Sequence, residues 1–228
     1  GGDELFAGYP SFNIIPKMNT YMKFIPESKI LNSLINNKLY SFLKKKKMKT
    51  KYSGILDYGR NINSAFLLVR SLFLPNEINE LIDQNTFKKG YIELDVLNTL
   101  NKDISNIKDT RLSIMYLEIK YYLCSKLLRD ADWTSMANSI ELRTPLVDWS
   151  FFNKLIPLIK NDNSINKKLA SKSMKDKIPK DIINRKKTGF VIPHDLYLKK
   201  MSYKKEYANP IRDWSILSYE KYLQNKKN

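Results

Sequence analysis

A chain of 228 residues that is 43% hydrophobic can bury a sizeable core, which excludes disorder as the default. Forty Lys and Arg against 23 Asp and Glu leave a net charge of +17, a field that favours anionic partners. The basic set is 33 Lys and 7 Arg, however, and phosphate grips favour Arg forks, so a solvated lysine-rich surface is expected rather than a nucleic-acid face.

One cysteine, Cys124, excludes an internal disulfide and a four-thiolate zinc site, and its apolar neighbours predict a buried thiol. The single histidine, His194, cannot build a histidine metal site or a histidine triad. No apolar run approaches the roughly 20 residues that span a bilayer, and no signal-peptide pattern opens the chain. No membrane partner and a reducing, cytoplasmic setting are therefore expected. The first residue is Gly1, so either a processed chain or a piece of something longer is expected.

Apolar residues recur at helical spacing, and seven glycines are too few for a turn-dense all-β fold, so the chain reads as mainly α. Pro10 to Tyr21 reads as a first helix. Pro26 opens a second, whose Ile30, Leu31, Leu34, Ile35 and Leu39 form an apolar stripe. The run Lys44 to Lys47 then predicts a solvated loop through Gly54. Ile62 to Leu74 fits a helix stopped by Pro75, and Glu77 to Ile82 a short one. The strongest pattern runs from Thr110 to Leu128, with Asp109 or Thr110 as cap, and predicts the central helix of the core. Val147 to Leu158 and Lys167 to Ile178 suggest two more helices, and Asn184 to Pro193 reads as a loop. With no repeat or linker, residues 1–228 form a single domain.

Three segments carry chemistry. In Gly1-Gly2-Asp3-Glu4, paired glycines allow positive φ or close backbone approach beside two carboxylates. Free amides there can cradle a phosphate and a hard carboxylate can serve Mg²⁺; a glycine turn with an acidic cap explains the same residues. In Asp132 to Pro145, Glu141 and Arg143 flank Leu142 and share one face of an extended segment, as a buried pair that orients substrate or joins two helices. Arg185-Lys186-Lys187 precedes Gly189 in a basic loop able to neutralise a leaving polyphosphate, or simply exposed to solvent.

In this order, the three segments resemble the C-terminal half of the synthetase domain of glutamine-dependent asparagine synthetases. Gly1 to Tyr9 is similar to the family's Gly-Gly-Asp-Glu-Leu-Phe-Gly-Gly-Tyr, with Ala7 for Gly. Asp132 to Pro145 resembles Asp-Arg-x-Ser-Met-Ala-x-Ser-x-Glu-x-Arg-x-Pro, and Asp148 falls where the family closes Pro-Phe-Leu-Asp. Pro179 to Pro193 resembles Leu-Pro-x-x-Ile followed by Arg-x-Lys-x-Gly-Phe and a proline.

The resemblance implies the helical half of an α/β adenine-nucleotide-hydrolase-like synthetase domain. ATP and Mg²⁺ would adenylate the side-chain carboxylate of aspartate, and glutamine-derived ammonia would displace AMP. Asp3 matches a Mg²⁺-pyrophosphate ligand, and Gly1, Gly2 and Glu4 share its nucleotide motif. Lys187 matches the catalytic lysine that neutralises the phosphates and also contacts the nucleotide. Glu141 and Arg143 match motif positions without an assigned role. Trp133 for arginine, Leu146-Val147 for Phe-Leu, and no Leu-Arg pair after Lys168 are departures that leave the acceptor open to a sugar acid or another carboxylate. No Ser-Gly-Gly-x-Asp-Ser loop and no cysteine glutaminase domain occur in the 228 residues, so the missing N-terminal region is an expected partner and this piece alone is expected to be inactive. A basic helical module binding nucleic acid is the rival from another class. The first helix, near Phe6 and Phe12, is expected to line an exposed apolar patch where the missing sheet would pack.

Overall fold

Helix makes up 71% of the described residues, and no strand occurs among them. The computed structural model describes residues 1–228 except 47, 175, 186–191, 205, 208 and 228. The mainly α expectation therefore holds.

The glycine motif forms a single turn, α1 (Gly2–Leu5), and α2 follows over Ser11–Met22. Helix α3 (Lys29–Lys45) starts at Ser28, whose hydroxyl accepts from the Leu31 amide at 3.3 Å. It extends into the lysine run, and a 3₁₀ turn over Thr50–Gly54 buries Thr50, Ser53 and Gly54, so the solvated loop expected there is corrected to an ordered, packed corner. The stripe of α3 is not core: Asn32 and Leu43 are buried, while Ile30, Leu31, Leu34, Ile35 and Phe42 are exposed. Asn32 and Asn36 donate to the Asp57 carboxylate at 3.1 and 2.6 Å, so polar contacts decide which side of α3 faces in.

Next come α4 (Ile55–Tyr58) and α5 (Ile62–Arg70). Helix α5 stops short of the expected Leu74 because Ser71 turns extended, and the Lys51 ammonium takes the Val69 and Ser71 carbonyls at 2.7 and 2.9 Å. Helix α6 (Pro75–Leu81) has proline in its first turn, and α7 (Gln84–Leu94) and α8 (Val96–Ile104) follow, with Leu100 and Ile104 of α8 buried one turn apart. No residue of α7 is buried.

Helix α9 (Thr110–Leu117) begins at Asp109, whose carboxylate accepts from the Leu112 amide at 2.7 Å. Its hydrogen bonding widens to π over Glu118–Leu128 and returns to α in α10 (Arg129–Met136). Ile114 and Leu117 join a first core cluster with α2, α5 and α8, and Met115 joins a second with Leu5, Phe6, Leu155 and Ile159. Helix α9 is thus the partition between the two cores, so the central place predicted for Thr110 to Leu128 falls to its first part. Its continuation is peripheral, and Cys124 is exposed rather than buried, because core packing ends at Leu123. Phe6 is also buried, against Phe151 at 6.5 Å between ring centroids, so the exposed apolar surface lies on α3 and around Trp133 to Trp149 instead.

The remaining helices are α11 (Trp149–Asn161), α12 (Lys167–Lys172), α13 (Lys180–Asn184), α14 (His194–Lys200) and α15 (Pro210–Lys227). Helix α15 is tied to the first part of the chain by Arg212. Its guanidinium reaches both Glu77 oxygens at 2.7 Å, Thr50 Oγ1 at 2.7 Å and the Leu72 carbonyl at 2.8 Å. Arg212 and Glu77 are both buried, and the Arg212 guanidinium lies 4.3 Å from the Phe73 ring centroid.

Candidate active site

A cleft of about 2430 Å³ runs between the glycine motif, the π-helical segment, α10, α12 and the C-terminal helices. Asp3, Tyr9, Arg70, Tyr122, Asn138 and Lys167 are among its lining residues. Such a volume exceeds the 300–1,000 Å³ of an ordinary small-ligand pocket and has room for two reactants together.

The Asp3 carboxylate is mostly buried, and the Lys167 ammonium lies 2.8 Å from Oδ1. Gly8 makes room for it: a Cβ there would stand 2.1 Å from Asp3 Oδ1. The paired glycines serve close approach, but to the protein's own backbone. A Cβ on Gly1 would come within 2.0 Å of the Leu146 carbonyl oxygen, and one on Gly2 within 3.0 Å of Leu146 Cδ1. No described glycine has positive φ; that conformation falls to Ala7, at 52°. Thus Gly1 and Gly2 dock the first motif onto the second.

Glu4 points inward and is buried. The Tyr9 hydroxyl donates to its Oε1 at 2.8 Å, and the Gly1 nitrogen lies 3.0 Å from Oε2. Its place is beneath the cleft, as a support for Tyr9. Burial first, then the hydrogen bond to Glu4, pushes the Tyr9 phenol above its usual range. The Tyr9 ring meets Tyr122 edge to face at 5.5 Å, and the Arg70 guanidinium lies 4.5 and 3.9 Å from the two ring centroids. Arg70 Nε donates to Glu118 Oε1 at 3.0 Å, Nη2 donates to Oε2, and the Ser11 hydroxyl donates to Oε1. Glu118 is fully buried; burial pushes its carboxyl up, opposed by the hydrogen bonds from Arg70 and Ser11.

In the second motif, Ser139 takes φ of 54° and turns the chain from α10 into an extended stretch. Glu141 and Arg143 do share one side and pair, at 3.0 and 3.3 Å, but both are exposed, which corrects the buried pair expected of them. Leu142 between them lines the cleft. Trp133 lies outside the cleft lining, beneath the Arg129 guanidinium at 4.3 Å. Lys187 lies outside the described residues, as does most of the basic loop; Arg185 and Ile192, on either side of residues 186–191, both line the cleft.

Mg²⁺ prefers one or two carboxylates completed by nucleotide oxygens and water. Asp3 supplies one carboxylate at the cleft, and no group of three or more metal-ligating side chains occurs among the described residues. That donor set fits an ion brought mainly by a nucleotide and not a cage built by the protein. Arg70, Glu118, Tyr122 and Lys167 escape a motif reading. For Glu118 alone a signal exists, a carboxylate on the core-facing side of an apolar helix.

Carboxylate, lysine and arginine groups thus line one large cleft on a helical surface. The family model for asparagine synthase matches residues 1–225. The chain is 33% identical over 108 residues to asparagine synthetase [glutamine-hydrolyzing] 1 of Bacillus subtilis (strain 168). That alignment covers 46% of this chain and 17% of the relative's length. No solved structure matches. The chain belongs to the asparagine synthase family.

Proposed function

We propose that this chain is the helical half of an ATP-dependent, glutamine-hydrolysing asparagine synthase that converts aspartate to asparagine. One observation supports the reading above the others: Asp3, the Leu142 stretch and both chain neighbours of the Lys187 segment line a single cleft. Motifs far apart in sequence thereby meet where one reaction would need them. Mg²⁺, when bound, screens the nucleotide phosphates and favours attack of a carboxylate at the α-phosphorus. Asp3 orients that ion, Lys167 holds the Asp3 carboxylate in place, and Lys187 stabilises pyrophosphate as it departs. Ammonia released from glutamine then displaces AMP from the acyl adenylate.

The acceptor reads as aspartate. The Trp133 departure, which otherwise points to another acid, sits off the cleft lining. The test uses the full-length protein. Aspartate-dependent release of pyrophosphate from ATP, with asparagine formed in equal amount, is the expected result. Residues 1–228 alone should release none, because no loop in them carries the Ser-Gly-Gly-x-Asp-Ser pattern that cradles the phosphates. Turnover with a sugar acid and none with aspartate would replace the acceptor while keeping the chemistry.

A further inference from the structure

Arg70 is built into the cleft wall with unusual rigidity. It sits at the C-terminal end of α5, and Nε and Nη2 are both committed to Glu118. Tyr9 and Tyr122 press on the guanidinium, fixing its plane. The partners are themselves held, Glu118 by Ser11 and Tyr9 by Glu4. Among the described residues, Nη1 makes no hydrogen bond, although Arg70 lines the cleft and about a quarter of its side chain is exposed. A cation of fixed orientation with one donor group turned to a ligand cleft loses little freedom on binding. The flanking rings leave only the guanidinium edge open, and an in-plane approach to that edge is the geometry by which arginine meets a carboxylate. Glu4, adjacent to Asp3 in sequence, bonds the Tyr9 that lies against Arg70, so the two cleft-lining groups are joined by a continuous packed path.

We propose that Arg70 Nη1 anchors the non-reacting carboxylate of an amino-acid acceptor, leaving its other carboxylate free to be activated on the Asp3 side of the cleft. This inference rests on the amide-transfer reading above. It makes Arg70 the residue that selects a dicarboxylic acceptor over a monocarboxylic one. Glu118 and the two tyrosines are then positioning residues, acting through Arg70.

The experiment is steady-state kinetics on the full-length synthetase, with aspartate and with 3-aminopropanoate, which keeps the reacting carboxylate and lacks the other. Wild type should favour aspartate by at least about tenfold in kcat/KM, the scale of one hydrogen bond to a charged group. Arg70→Gln should raise KM for aspartate by about that factor, leave KM for ATP within about twofold, and abolish the preference over 3-aminopropanoate. Methylguanidinium added to Arg70→Ala should restore part of the preference. Aspartate turnover with the preference intact in Arg70→Gln would overturn the inference and spare the reading. A rise in KM for ATP alone would make a nucleotide phosphate the ligand and overturn it too. Should Arg70→Gln not fold, the wild-type comparison decides, since equal use of the two acceptors leaves Arg70 nothing to select. No aspartate turnover by wild type removes the reading and the inference together.

Discussion

Ala7 stands at φ 52°, in the left-handed region where a Cβ crowds the following carbonyl, at the one place in the first motif where this chain replaces a glycine of the family pattern. Crowding of this kind costs about 1–2 kcal/mol and the extra freedom of unfolded glycine returns part of it. Ala7→Gly should therefore raise stability by about 0.5–1 kcal/mol, read as a higher urea midpoint with unchanged slope. The reverse logic applies at Gly8, where any side chain would displace the Asp3 carboxylate. Lys187 belongs to the same scale. On the proposed chemistry it meets charge that develops as pyrophosphate leaves, so it acts on the transition state more than on bound ATP. In the full-length protein, Lys187→Ala should lower kcat by about 10²–10³ with a modest change in KM for ATP, and Lys186→Ala should do far less. The opposite ranking by pyrophosphate release would place the loop one residue out of register.

Among the elements, α5 shows how tertiary contacts end a helix that periodicity would extend. Lys51 caps its last carbonyls, and burial, reinforced by Lys49 and Arg212 nearby, lowers the Lys51 ammonium to about 8. Unfolded, the same group keeps its proton to about 10.5, so between those values the unfolded chain binds more protons. Stability should rise with pH from about 8 to about 10.5 through this residue, and show no such rise below 8. Lys51→Met should flatten that rise, which denaturant midpoints for both proteins at pH 7.5, 9 and 10 would measure. Elements were legible where the sequence carries its own punctuation. The Asp109 cap is local and appears as expected, and the stripe read over Thr110 to Leu128 gives an α-helix only as far as Leu117 before widening to π. Helix α7 carries Phe87, Tyr91 and Leu94 on one face yet buries no residue, so its stripe marks a helix without marking core. The stripe of α3 misleads, since two asparagines and a leucine face inward while its isoleucines do not. In the cleft, Asp3 announces itself through neighbours in sequence. Arg70 and Glu118 are 48 residues apart and meet only through packing.

At the scale of the molecule, α15 is held to α6 and the 3₁₀ turn by a buried polar clasp, Arg212 on Glu77 and Thr50. A buried pair of this kind adds little over a well-packed apolar one, but removing one partner strands a charge. Arg212→Ala should cost about 3–5 kcal/mol, and combining Arg212→Leu with Glu77→Leu should recover most of it, as equilibrium unfolding would show. The clasp also has a history in time. Glu77 leaves the ribosome 135 residues ahead of Arg212, which at 5–20 residues per second is a wait of roughly 7 to 27 s. Throughout that interval Glu77 is an anion whose cation has not yet been made. A nascent chain of this protein therefore keeps Glu77 without its cation until α15 is translated, and a message cut short before the codon for Arg212 yields a product with a stranded carboxylate.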